Sequence, residues 1–237
     1  MINRNFKDFK FQHKGNKNQI LFTSKKVSND FEIINLINNF LKDKNSFIFE
    51  SVEKGIIKGR YTIFGRNPDK IWEFNNNISY SVNNFNRRKK IKGEPKKVIE
   101  NIIENFKFDT PKNLPPICSL ISGYFSYDTI RYIEKIPNKC KDDLNLPDVR
   151  ILRPRTLIIH DNYKKKIFFI IIVFKDEKII DFKKKYNEIK NELYMLNILS
   201  KHKTSSSKNI KENKLFVKSN TSKKKFLSMV NKAKKYI

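Results

Sequence analysis

Cysteine, histidine, glycine and alanine are all scarce in this sequence of 237 residues. The two cysteines, Cys118 and Cys140, have no CxxC spacing, which argues against a disulfide scaffold or a cysteine-based zinc site and fits a reducing cytoplasm. The three histidines, His13, His160 and His202, fall in a tail, at a strand end and in a linker, and none has a second ligand at metal spacing. No GxxxxGKS/T loop, GxGxxG turn, HExxH or GxSxG is present, so the usual catalytic motifs are missing. Long hydrophobic runs are missing too. The longest, Ile167 to Phe174, is far below the roughly 20 residues of a membrane helix and reads as a buried strand. The charged start, with Arg4, Lys7, Asp8 and Lys10, lacks the apolar stretch of a secretory signal.

What is plentiful is positive charge and large side chains. Lysine and arginine number 51 against 24 acidic residues, for a net charge of +27. That balance raises a nucleic-acid reading. Yet only nine of the cations are arginine, whose planar fork is the better reader of phosphate and base edges. The abundance of Lys, Asn, Ile and Phe beside one alanine, Ala233, is what an AT-rich coding sequence writes onto solvated faces. The 20 Phe and 9 Tyr, with 38% apolar residues overall, suffice for a core without staples or metals.

Hydrophobic spacing predicts the elements. Asn29 followed by Glu32 has capping-box spacing, and Phe31, Ile34, Ile37, Phe40 and Leu41 then recur at helical intervals, so a helix is expected over 29–41. Ser46 to Val52 and Arg60 to Phe64 read as a hairpin, the second strand closed by Gly65 and Pro68. Lys70 to Phe74 and Ile78 to Val82 flank a turn of three asparagines. Val98, Ile99, Ile102, Ile103 and Phe106 form a helix face after Pro95. Ile117 to Phe125 reads as a strand and Tyr127 to Ile133 as a short helix opened by Asp128. Thr156 to His160 and Ile167 to Val173 make a further hairpin, and Ile179 to Leu196 a long amphipathic helix. The class is α+β, mainly antiparallel sheets with flanking helices. We expect a first domain over 1–200, a flexible Ser- and Lys-rich linker over 201–221, and over 222–237 the first helix of a further domain, so that the chain is the front part of a longer protein.

Two segments carry chemistry. In Ser46-Phe-Ile-Phe-Glu-Ser51 three bulky apolar residues lead into Glu50 and Ser51, a carboxylate and a hydroxyl at a core edge. Glu50 could accept an ammonium group and Ser51 hydrogen-bond a small zwitterion; equally, Glu50 could pair with a lysine or Arg60 while Ser51 ends the strand. In Gly123-Tyr-Phe-Ser-Tyr-Asp128, followed by Arg131, Tyr132 and Glu134, glycine permits close backbone approach and Asp128 can cap the helix that carries Arg131. A strand-to-helix junction is sufficient to explain it.

Taken together and in order, these segments resemble the amino-terminal part of the anthranilate synthase component I family of chorismate-using enzymes. Phe49-Glu-Ser51, Gly59-Arg-Tyr-Thr62, Gly65-Arg-Asn-Pro68 and Gly123 through Glu134 look like that family's motifs, and Leu146-Pro-Asp148, Arg153-Pro154, Asp161 and the closing Ala-Lys-Lys-Tyr-Ile237 follow its course. The family often carries a Thr-Pro pair ahead of the first helix, which Ser24 to Asn29 lacks.

The resemblance implies a regulatory and structural amino-terminal domain bracing a chorismate-binding catalytic domain that lies beyond Ile237. On that reading the whole protein is a lyase that makes anthranilate and pyruvate from chorismate and glutamine or ammonia. The alternatives are aminodeoxychorismate synthase component I and a basic nucleic-acid-binding protein. No catalytic or metal-ligating residue is expected in this chain, and the Mg2+ ligands would lie outside it. Its site residues would be Ser51, with Glu50 beside it, binding L-tryptophan as feedback inhibitor. A glutamine amidotransferase component II is the implied partner, in a cytoplasmic heterotetramer without nucleic acid or membrane.

Overall fold

The computed structural model describes residues 2–28, 33–37, 43–50, 59–83, 87–137, 139, 142, 144–199 and 218–236. The chain divides into two units, Met1–Lys203 and Thr204–Ile237. The first holds α1 (Phe6–Lys14), β1 (Gln19–Lys26), α2 (Ile33–Ile37), β2 (Phe47–Phe49), β3 (Tyr61–Asn75), β4 (Ile78–Val82), β5 (Arg88–Ile91), α3 (Pro95–Asn105), β6 (Ser122–Phe125), β7 (Val149–Asp161), β8 (Lys166–Val173) and α4 (Phe182–Leu199). Among the described residues the eight strands join one antiparallel sheet, ordered β1-β8-β7-β3-β4-β5, with β2 added to β3 and β6 to β7. This is the α+β arrangement of antiparallel sheet and flanking helices that the hydrophobic spacing implies.

Two long strands form the spine. β3 and β7 pair from Tyr61 with Asp161 to Phe74 with Val149, and at their middle Pro68 faces Pro154. Neither proline can donate a ladder hydrogen bond, and the register slips between Pro68 and Lys70. The outer neighbours change at that point. On one side β2 and β8 flank the spine; on the other β4 and β6 do. Gly65 and Pro68 therefore do not close a strand, contrary to the hairpin reading, because the paired residues on either side carry the ladder through the bulge.

The first half of the sheet is covered on both faces, as the unbroken apolar run of β8 requires. Phe64, Ile158, Phe169 and Ile171 point to one face, packed against Phe9 of α1, Leu36 and Ile37 of α2, and Ile189, Leu193 and Leu196 of α4. Leu157, Ile159, Phe168, Ile170 and Ile172 point to the other, under Leu114, Cys118, Phe106 and Phe108. In the second half Trp72, Phe74, Val149 and Ile151 pack with Val98 of α3, while the opposite face is shared by a small buried cluster of Ile71, Val82 and Leu152, with Phe47 against it, and the charges of Glu73, Arg88 and Arg150.

Several local expectations change. Of the expected helix over 29–41, α2 covers the described part, and the flanking residues lie outside the described ones. The expected strand from Ile117 is instead a 3-10 turn at Pro116–Cys118, with Pro115 at its N-cap and Pro116 as its first residue, and β6 begins only at Ser122. Tyr127–Tyr132 is a 3-10 helix whose N-cap is Ser126, so Asp128 does not cap it. The asparagine turn forms as expected: Asn75 pairs with Ile78, and Asn76 and Asn77 have φ of 49° and 60°, as a two-residue hairpin turn of type I′ demands. In the second unit, α5 (Lys223–Lys234) is capped by Ser222, which accepts a hydrogen bond from the Lys225 N–H at 3.3 Å. Residues 201–217 of the expected linker, and Cys140, lie outside the described residues. Among the described residues no helix is long and apolar enough to cross a membrane.

Candidate functional site

The Glu50 segment leaves the sheet at the end of β2. Phe47 pairs with Gly65, and the Phe47 ring lies where a Cβ on Gly65 would be, 2.3 Å from the nearest ring atom. Glycine at 65 is thus a steric requirement for seating Phe47. Phe49, whose ring centroid lies 5.0 Å from that of Phe47, is the last residue paired, with Ile63. Glu50 follows as an exposed residue, and Ser51 lies outside the described residues.

Beside this end, Arg60 makes a two-pronged ion pair with Asp161, from Nε to Oδ1 at 3.1 Å and from Nη2 to Oδ2 at 2.7 Å. The guanidinium also lies 4.9 Å from the Tyr61 ring centroid and 5.5 Å from that of Tyr163. Asp161 in turn accepts from the N–H groups of Tyr163 and Lys164, closing the β7–β8 turn. Burial pushes the Asp161 carboxyl up, but Arg60 and these two N–H groups outweigh it and hold the group below its ordinary value. Arg60 is therefore engaged by Asp161, so the pairing of Arg60 with Glu50 does not describe this structure.

In the second segment Gly123 pairs with Ile151, and a Cβ there would lie 2.0 Å from the Arg150 carbonyl oxygen. Asp128 accepts from Arg131 Nε at 2.8 Å, and Arg131 Nη1 donates to the carbonyls of Ile136 and Pro137. The Tyr132 hydroxyl donates to Asp148 at 2.6 Å, and burial together with that carboxylate raises the phenol far above its ordinary value. The motif residues Gly123, Asp128, Arg131 and Tyr132 thus tie the chain locally. The intervening Tyr124, Phe125, Tyr127 and Ile133 remain exposed, Tyr127 to 86%.

Two charged clusters escape sequence reasoning because their members meet only through the sheet. Glu73, 3% exposed, accepts from Arg88 at 2.7 Å and from Arg150, whose other nitrogen donates to Asn45. Arg153 joins Asp69 and Asp176, its guanidinium 3.7 Å from the Phe174 ring centroid, and Lys70 also pairs with Asp176. The one available signal was Glu73 standing between Trp72 and Phe74, a charge inside an apolar strand. Among the described residues no group of three or more His, Cys, Asp or Glu is placed to hold a metal ion.

Residues 60–237, most of the chain, match the family model of the chorismate binding enzymes, and the chain belongs to that family. Several similar proteins are anthranilate synthase subunits. Anthranilate synthase component 1 of Acetivibrio thermocellus is 32% identical over 208 residues, covering 86% of this chain and 42% of that protein. The protein of the same name from Cereibacter sphaeroides is 30% identical over 68% of this chain and 33% of its own length, and that from Acinetobacter calcoaceticus 30% identical over 83% and 40%. The chain spans less than half the length of these curated relatives. A solved structure, anthranilate synthase component I from Streptococcus pneumoniae TIGR4, is similar at a TM-score of 0.46 and 23% identity, over 72% of this chain and 37% of that one.

Proposed function

We propose that this chain is the amino-terminal regulatory and structural part of an anthranilate synthase component I, the enzyme that makes anthranilate and pyruvate from chorismate with glutamine or ammonia as nitrogen donor. The observation that carries this reading is the 208-residue alignment with the Acetivibrio thermocellus protein, 32% identical and running through most of this chain. The exposed Tyr124, Phe125, Tyr127 and Ile133 support a bracing role, since large apolar side chains left in solvent mark a surface that another domain covers. A glutamine amidotransferase supplies ammonia in a cytoplasmic heterotetramer. On this reading chorismate chemistry and its magnesium belong to the rest of the protein, and this chain alone is inactive.

The regulatory part of the reading concerns Ser51, with Glu50 beside it, as the wall that binds L-tryptophan. Tryptophan held against this wall stabilises one packing of the domains over another, and its leverage equals its differential affinity for the two. The protein carrying this chain, supplied with chorismate and ammonium, releases anthranilate, read by its fluorescence; release of 4-amino-4-deoxychorismate would assign it to the folate route instead. In the same assay Ser51→Phe shifts the tryptophan inhibition curve about tenfold or more to higher concentration, the cost of roughly one lost hydrogen bond to a filled pocket. An unshifted curve removes Ser51 from the effector site.

A further inference from the structure

A cavity of about 340 Å³ lies between α3 and the second half of the sheet, within the size range of small-molecule sites. Its apolar wall is made by Trp72, Val98, Ile102 and Phe106. Trp72 and Val98 are buried, so this wall is held by the core and is not a surface accident. Lys92 and Lys175 also line it, together with Lys70, Arg153 and one carboxylate, Asp176. The last two are already matched: Lys70 pairs with Asp176, and Arg153 with Asp69 and Asp176. Among the described residues neither Lys92 nor Lys175 has an ion pair. Two positive charges therefore stand unmatched beside an aromatic and aliphatic wall.

We infer that this cavity binds a small organic anion with a planar apolar body, the ring against Trp72 and the carboxylate toward Lys92 and Lys175. An inorganic anion would use the lysines and waste the wall; a neutral aromatic would use the wall and leave the lysines idle. The site is separate from the described end of β2, where Glu50 follows Phe49, and does not depend on the effector reading. Phe49 pairs with Ile63, and Trp72 lies nine residues further along β3, which at the rise of an extended strand is about 30 Å.

Trp72 is the only tryptophan of the chain, so its fluorescence reports on the cavity without a label. Titration of the 237-residue chain with benzoate at constant ionic strength gives a saturable change in Trp72 emission. Benzyl alcohol, the same ring without the charge, binds about tenfold more weakly, and inorganic phosphate does not displace benzoate. The double variant Lys92→Gln, Lys175→Gln weakens benzoate about tenfold, as the loss of two exposed charge contacts predicts, with its thermal unfolding unchanged. An emission that never saturates, equal binding of benzyl alcohol, displacement by phosphate, or an unaffected double variant each overturns the inference.

Discussion

The two halves of the sheet share the same two strands yet are stabilised differently. Where β3 and β7 run beside β8, both faces are buried under helices or the 106–120 segment, and β8 is apolar almost without interruption. Beyond the facing prolines the α3 side is apolar, while the other face holds a small apolar cluster of Ile71, Val82 and Leu152 and, next to it, Glu73 between Arg88 and Arg150. One spine thus packs into a core on both faces of its first half and, in its second, divides one face between a small apolar cluster and a buried carboxylate with its two arginines. A fold can place chemistry on a strand whose neighbouring residues, a few positions away, do nothing but pack.

The contrast predicts a graded response to substitution. The largest loss falls in the doubly covered half. Phe169→Ala removes a fully buried ring from β8 and leaves a cavity that helices and strands on both sides cannot fill, costing about 4 kcal/mol in a urea unfolding midpoint series. A cost near that of a surface substitution would show that this half is not the stability centre. Next comes Gly123→Ala, in the second half. Its new Cβ meets the Arg150 carbonyl, part of the backbone, so β6 must move off β7; we expect about 3 kcal/mol and faster amide exchange in β6 ahead of β8. Glu73→Ala follows at about 2 kcal/mol. It leaves Arg88 and Arg150 facing one another without their anion, but both guanidinium groups are partly solvated, which keeps the loss below that of a fully buried pair.

How far each half can be read from sequence follows the same division. Elements whose signal is local and apolar are legible: the β8 run, the asparagine turn after β3, and the spacing of Val98, Ile102, Ile189 and Leu193 all specify what forms. β5 is invisible to such reading, because Arg88, Lys89 and Lys90 form an edge strand on polar residues held by β4 alone. The continuity of β3 through Pro68 is also hidden, since proline reads as a stop unless its partner strand is known. At the candidate site, the ladder pairing of Phe49 beside Glu50 is foreseeable from the apolar run. The capture of Arg60 by Asp161 is not, as 101 residues separate them and only the pairing of β3 with β7 brings them together.

That ion pair gives the subtlest test, because it sits at the open end of the otherwise apolar half. The Asp161 carboxyl lies below its ordinary value of 3.8 in the folded chain. A group with a depressed folded value contributes stability above its unfolded value, and the contribution fades as pH falls toward the folded one. The stabilisation from Asp161 is therefore complete at neutral pH and lost on acidification below about pH 4. Asp161→Asn keeps an oxygen that can accept from Tyr163 and Lys164 but removes the charge facing Arg60. The variant should melt lower than the parent at pH 7 and lose less on moving to pH 3, so the two melting curves converge. Parallel curves across that range would mean that the hydrogen bonds of the turn, and not the charge on Arg60, hold this end of the spine.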